Sequence, residues 1–187
     1  MFIISIINEI FRALPLIGPI FLFLFYFCKN DLILLYILIG SILIIFINFI
    51  MKDIIFKYIE SIINYYNLYK IQNILGIFDR PNNAKNCGIF YVNEENLSYE
   101  RGMPSGHSLL AGYIGIVLYY YLIDKYKIKK KEEQNNLLII CLLFIFYTMY
   151  TRILFGCHTF QQTIIGCIIG IIYGHYYYKF SYKFIDT

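Results

Sequence analysis

Charged side chains are scarce in this chain, and their scarcity limits what the protein can be. Only 15% of its 187 residues are charged, whereas a soluble domain has about 25%. Apolar residues make up 59%, and the mean hydropathy is +0.61. This composition excludes a disordered chain and an ordinary soluble enzyme, and it predicts one membrane-embedded domain over residues 1–187. The net charge of +4 is too small, and the charges too clustered, for a nucleic-acid partner.

The cysteines show no pattern of ligands or cross-links. Their number is odd, and no Cys-x-x-Cys pair or Cys/His spacing predicts a zinc site or a disulfide framework. Four of the five lie in apolar runs, where a thiol behaves as a small hydrophobic group. Cys157, one of these four, is therefore interpreted as a packing residue. Cys87 lies in a polar loop, where it either pairs or stays free.

Apolar runs predict an all-α, integral membrane helical bundle. A bilayer core of about 30 Å takes about 20 apolar residues as helix. The sequence has such runs at 13–28, 32–51, 104–123, 137–155 and 159–178. Residues 53–77 mix apolar and polar side chains, so they form either a further span or an interfacial helix. We favour the span, which gives about six transmembrane helices, with residues 53–178 as the core of the domain.

The lysine-rich loop 124–136 sets the expected orientation, because positively charged loops stay in the cytoplasm. Other basic residues fall on the same side if 53–77 crosses the membrane, so both termini are predicted to be cytoplasmic. These residues are Arg12, Lys52, Lys179 and Lys183. The polar loop 80–103 then lies on the opposite face.

Polar residues at helix ends converge on that opposite face. They are Arg80, Ser105, Gly106, His107, Arg152 and His158. A helix N-terminus binds anions, and arginine offers a planar fork of donors for phosphate oxygens. Two histidines can supply a nucleophile and a general acid. The sequence has no carboxylate cluster to hold Mg²⁺, so the pattern predicts phosphate chemistry without a metal or other cofactor.

Three motifs resemble those of the type 2 phosphatidic acid phosphatase superfamily. Residues 104–107 read PSGH, and Thr151-Arg152 followed after five residues by His158 resembles the motif SR-x5-H-x3-D. Arg80-Pro81 resembles the end of the motif K-x6-RP. The match covers about residues 73–170 and implies the helical core that this superfamily shares with haloperoxidases.

The resemblance also implies a role for each matched residue. His158 would form a phosphohistidine, and His107 would protonate the leaving oxygen and later act as a base. The non-bridging phosphate oxygens would be held by Arg80, Arg152, Ser105 and the N–H of Gly106.

Two departures from the superfamily motifs bear on the chemistry. Gln162 stands where the superfamily has aspartate, four residues after His158, and it can still accept the Nδ1–H of that histidine. The run H-T-x-x-Q resembles the dolichyl diphosphatase branch, and glucose-6-phosphatases also carry glutamine there. The motif-one lysine is replaced by Asn73. Lys70 is the favoured substitute, and the alternatives are Lys52 and a site without any such lysine.

The resemblance therefore implies a membrane phosphatase that acts on a lipid phosphate or diphosphate in the bilayer. The favoured substrate is a polyprenyl (dolichyl) diphosphate, cleaved at the lumenal face of the endoplasmic reticulum. The alternatives are a broad phosphatidic acid (glycerolipid) phosphatase, a sugar-phosphate phosphatase, and an inactive binding or scaffold protein on the same fold. The last is motivated by Asn73 and Gln162 together.

Small residues recur along the last predicted span. Gly166, Gly170 and Gly174 follow one another at every fourth position. Such a stripe predicts a close helix–helix seam, either inside the chain or in a homo-oligomer.

Overall fold

The structure is a computed structural model and describes residues 2–84, 87–88 and 101–185. Within these ranges all the regular secondary-structure elements are helices, as predicted. The elements are α1 (Phe2–Arg12), α2 (Leu14–Lys29), α3 (Leu32–Ile50), a π-helix (Met51–Phe56), α4 (Lys57–Tyr65), α5 (Tyr69–Leu75), α6 (Gly106–Tyr126), α7 (Lys131–Leu154) and α8 (Phe160–Ile185). Most of the predicted loop 80–103 lies outside the described residues.

Fewer helices qualify as membrane spans than the sequence predicted. By length and composition three described helices do so: Leu32–Tyr65, Gly106–Tyr126 and Lys131–Leu154. A fourth is obtained if α1 and α2, bent by 81° at their junction, count as one span. The described residues thus give three or four candidate spans, where the sequence predicted about six.

The main error lies in residues 53–77. The second apolar run does not end near Lys52; α3, the π-helix and α4 form one helix of 34 residues, about 50 Å long. α5 has only seven residues and no buried side chain. This region therefore extends an existing span and does not make a separate crossing.

The shortened topology changes which charges share an end of the bundle. At one end Lys125 pairs with Asp31 at 2.5 Å. Because burial of Asp31 is outweighed by this lysine and by the Ile33 N–H, the pKa of Asp31 is lowered. Tyr178, in α8, donates to Asp124 at the same end. Since the lysine loop follows directly, this is the end predicted to be cytoplasmic.

Arg12 and Lys52 lie at the other end. The Arg12 carbonyl contacts His107 at the start of α6, and Lys52 donates to the Arg101 carbonyl at 2.9 Å. The prediction that both share the lysine-loop side was wrong, because one crossing fewer separates them from it. The expected placement of the N-terminus on that side loses its basis as well, whereas the end of α8, with Lys179 and Lys183, does lie toward the lysine loop.

The glycine stripe forms a seam inside the chain, between α8 and α6. A Cβ on Gly166 would lie 2.5 Å from the Ser105 carbonyl oxygen, and one on Gly170 would overlap the Leu109 carbonyl. Main chain therefore packs on main chain along this seam. The seam holds the start of α6 directly against the start of α8, and these are the two helix ends that carry the predicted site.

Candidate active site

His158 lies in the turn between α7 and α8, and its contacts define its tautomer. Its Nδ1 is 3.0 Å from Oε1 of Gln162, an acceptor, so Nδ1 carries the proton. Its Nε2 is 3.4 Å from Nη1 of Arg80. Arginine only donates, so Nε2 holds the lone pair. Both contacts leave Nε2 as the nucleophilic nitrogen, next to a guanidinium.

Four hydrogen bonds fix the orientation of the Gln162 amide. Its Nε2 donates to the carbonyls of Ile77 at 2.9 Å and Asp79 at 2.7 Å. Because only the amide nitrogen can donate to carbonyls, the opposite edge toward His158 must be the oxygen. That oxygen also accepts from the Thr159 N–H at 3.2 Å. Gln162 is fully buried, and all its polar atoms have partners.

Thr159 and Gln162 form a capping box at the start of α8. The Thr159 hydroxyl accepts from the Gln162 N–H at 3.3 Å, and the Gln162 side chain accepts from the Thr159 N–H. This reciprocal arrangement satisfies helix-terminal donors and fixes the entry of the chain into the helix. The run H-T-x-x-Q is therefore a structural unit that orients the histidine before it.

The environment of His158 favours its neutral form. Burial lowers its pKa well below the usual value, and the charges of Arg80, Arg152 and Lys52 lower it further, against a smaller opposing effect of the Gln162 contact. A neutral imidazole with its lone pair on Nε2 is the form that a nucleophile requires.

His107 stands in the first turn of α6, where its Nε2–H donates to the Arg12 carbonyl at 2.8 Å. Its Nδ1 is therefore the nitrogen left for proton exchange. A Cβ on Gly106, just before it, would lie 2.8 Å from Nδ2 of Asn48, so a side chain there would displace this amide. Sequence reasoning missed the contact between Arg12 of α1 and His107, since no local signal connects these two residues.

Ser105 is less accessible than predicted. It is fully buried, its hydroxyl accepts from Ser108 at 3.1 Å, and its N–H donates to the Gln162 carbonyl at 3.1 Å. Gly106 lines the cavity described below, whereas Ser105 does not.

A disulfide joins Cys87 and Cys157, whose Cα atoms are 5.5 Å apart. The interpretation of Cys157 as a packing residue was wrong, and of the two alternatives left open for Cys87, pairing is the one observed. The two cysteines are 70 residues apart in sequence, so spacing alone gave no sign that the fold brings them together. The other three are free, as Cys28, Cys141 and Cys167.

The two predicted arginines lie beside this disulfide. Arg80 donates from Nη1 to the Cys157 carbonyl at 3.4 Å, and Arg152 from Nη2 to the Cys87 carbonyl at 2.9 Å. Arg80 lines the cavity, whereas Arg152, only 1% exposed, does not.

The site opens into a cavity of about 460 Å³. Its polar wall contains Asn48, Lys52, Asp53, Arg80, Arg101, Gly106, His107 and His158, and its apolar wall includes Pro15, Ile45, Phe49 and Leu110. Of the two lysine candidates, Lys52 lines the cavity, and Lys70 is an exposed residue of α5. Among the described residues no three His, Cys, Asp or Glu side chains are grouped to hold a metal.

A buried histidine pair with arginine donors, carried by a helical membrane fold, is an arrangement that can bind and attack a phosphate group. The family profile of the PAP2 superfamily matches residues 32–186. The chain belongs to this superfamily, which supports a hydrolase of phosphate esters. No curated protein and no solved structure matches the chain. α1 and α2 precede the matched region, although Arg12 and Pro15 contribute to the site.

Proposed function

We propose that the protein hydrolyses a lipid phosphate or diphosphate without a metal, through a phosphohistidine at His158. The observation that carries this proposal is the Nε2 atom of His158, which bears a lone pair 3.4 Å from Nη1 of Arg80. Nucleophile and phosphate-binding donor thus stand side by side on one cavity.

The reaction has two steps. In the first, the His158 Nε2 lone pair attacks phosphorus, the bond to the leaving oxygen breaks, and His107, protonated on both ring nitrogens, gives that oxygen the proton of its Nδ1. In the second, water attacks the phosphohistidine, His107 takes a proton from the water, and phosphate leaves with Nε2 regaining its lone pair. Throughout, Gln162 accepts the Nδ1–H of His158 and holds the ring in place.

Positive groups around the cavity stabilise the charge that develops on the phosphate. Arg80, Lys52 and Gly106, the first residue of α6, line the cavity. Arg152 is close enough to affect the titration of His158. Preorganised donors of this kind commonly supply several kcal/mol of transition-state stabilisation. We assign to Lys52 the role of the lysine that the superfamily motif carries and that Asn73 does not supply.

The apolar wall of the cavity supports a lipid substrate. Pro15 of α2, Ile45 and Phe49 of α3, and Leu110 of α6 form this wall. Phe49 is also 60% exposed on the outside of the bundle, so the cavity borders a surface that faces acyl chains in a membrane. A headgroup at the cations and a tail along this wall fit one anchored substrate.

Within this class we favour a polyprenyl diphosphate, cleaved to the monophosphate and phosphate. Gln162 and its capping box support this choice, since they form the H-T-x-x-Q unit of the dolichyl diphosphatase resemblance. Lys52 offers the cavity further positive charge for a second phosphate group, whereas the guanidinium of Arg101 is paired with Glu60 at 2.8 Å. The Cys87–Cys157 disulfide supports a site in an oxidising compartment, consistent with the lumenal side of the endoplasmic reticulum.

The test is phosphate release by the purified protein in detergent, without divalent metal. Dolichyl diphosphate, phosphatidic acid and glucose 6-phosphate are compared, with His158→Ala as the control. Release from the diphosphate, abolished in the variant, is expected. Equal release from phosphatidic acid would favour the broad lipid phosphatase. No release from any of the three would favour an inactive binding protein.

A further inference from the structure

We propose that the Cys87–Cys157 disulfide is a positioning device for the phosphate-binding arginines. The inference rests on the proposed function of the site, and it gives a role to two cysteines that the three superfamily motifs do not specify. Each half of the disulfide presents its own main-chain carbonyl to a different arginine. The cross-link therefore fixes the distance between the acceptors of both guanidinium groups.

The disulfide connects two segments that both reach the site. Cys157 immediately precedes the nucleophile His158, and Cys87 lines the cavity. Both cysteines are almost fully buried, at 0% and 2% exposure, and pack against Ala84 and Phe155. The bond thus ties the polar loop after Arg80 to the turn that carries the nucleophile.

Electrostatics explains why the arginines need fixed acceptors. Arg80 and Arg152 both lie near His158 and carry the same charge, so each repels the other when no phosphate is bound. The carbonyl oxygens of Cys157 and Cys87 offset part of this repulsion, because each accepts a charge-assisted hydrogen bond. If the two chain segments separate, the guanidinium groups lose these acceptors and turn away from the nucleophile.

The proposal predicts a specific kinetic change when the bond is absent. Loss of ordered donors weakens phosphate binding, so KM and the inhibition constant of inorganic phosphate should both rise about tenfold, equivalent to about 1.4 kcal/mol. A purely structural cross-link would instead lower the folded fraction or the unfolding temperature, and the molecules still folded would keep the normal KM.

The experiment uses the full chain, in a background with Cys28, Cys141 and Cys167 changed to alanine, so that only this pair of cysteines remains. The background protein should retain wild-type kinetics and serves as the matched control. Cys87→Ala with Cys157→Ala removes the bond and leaves both main-chain carbonyls in place. Initial rates, inhibition by inorganic phosphate and thermal unfolding are measured for both proteins.

Reduction gives a second, reversible arm. Dithiothreitol donates two electrons and two protons to the disulfide, which yields the Cys87 and Cys157 thiols and cyclic oxidised dithiothreitol. Alkylation and mass spectrometry report how much of the bond has opened. The rise in KM should follow the reduced fraction and reverse on reoxidation.

An unchanged KM and phosphate inhibition constant in the double variant would overturn the proposal, whatever happens to the unfolding temperature. If the background protein proves inactive on all substrates, the proposed function fails by itself. Calorimetric titration with inorganic phosphate then still tests the positioning role: tighter binding with the disulfide than without it supports the role, and equal affinity refutes it.

Discussion

Replacement of Gln162 by glutamate tests whether its amide N–H groups matter as much as its carbonyl oxygen. Glutamate keeps an acceptor for His158 and nearly the same shape, but an ionised carboxylate cannot donate to the carbonyls of Ile77 and Asp79. Those two contacts hold the segment that leads into Arg80 against the start of α8. We therefore expect Gln162→Glu to displace Arg80 from the nucleophile.

The expected size of this effect follows from the two lost hydrogen bonds. At about 1 kcal/mol each they amount to about 2 kcal/mol, or about 30-fold in kcat/KM if the loss falls on the transition state. Steady-state phosphate release from the favoured substrate measures the change. Gln162→Asp, which restores the residue usual in the superfamily, should likewise lower activity, because it also removes both donors.

Gln161→Glu is the matched control, since it makes the same chemical change at the adjacent, half-buried position. It should leave kcat/KM close to that of the unmodified protein. Wild-type kcat/KM in Gln162→Glu would refute the reasoning, because it would mean that the two donor contacts do not position Arg80.

The remaining predictions concern the lysine, the helix seam and the pH dependence. Lys52→Gln should raise KM about tenfold, since one charge-assisted contact is lost, while Lys70→Gln should leave KM unchanged; equal effects would contradict the assignment. Gly170→Ala should destabilise the protein by about 1–3 kcal/mol in thermal unfolding, because the new methyl group meets the Leu109 carbonyl. Gly18→Ala, which meets only a side-chain methyl at 3.2 Å, should cost less. The lowered pKa of His158 keeps it neutral in the folded state as pH falls below about 6.5, where the unfolded chain takes up a proton. Stability attributable to His158 is thus lost as pH falls below about 6.5. The acid limb of the pH profile of kcat/KM, corrected for substrate titration, should have its midpoint below the same pH. A midpoint at or above about 6.5 would contradict the burial argument.

Residues at helix ends were predictable from the sequence. The PSGH run and the Arg152–His158 turn adjoin apolar runs of clear length, so their convergence followed from alternating crossings. The contact between Gln162 and His158 was predicted from helical spacing, and the structure confirms it at 3.0 Å, although His158 lies in the turn before α8 and the capping box sets the geometry. Spacing could not reveal the contacts of the amide nitrogen of Gln162, because its partners, the carbonyls of Ile77 and Asp79, lie more than 80 residues away in sequence.

Contacts between residues distant in sequence could not be predicted, for the same physical reason. The second apolar run predicts a span that ends just before Lys52, but a π-helix carries the chain onward and leaves this lysine beside the cavity. The Cys87–Cys157 bond joins two segments whose meeting depends on the whole fold. Arg12 reaches His107 from the end of α1, where α1 and α2 meet at a bend of 81°. In each case the deciding contact is set by packing between elements and not by local periodicity.

Trapping of the phosphoenzyme tests the central claim most directly. The protein is mixed with substrate carrying a labelled terminal phosphate and quenched within one turnover. It is then digested under alkaline, acid-free conditions, in which phosphohistidine is stable, for mass spectrometry. The account predicts label on Nε2 of His158, none in His158→Ala, and accumulation of label in His107→Asn, if a residual first step occurs, because the second step lacks its base. Label on another residue, or phosphate release that persists in His158→Ala, would contradict the account.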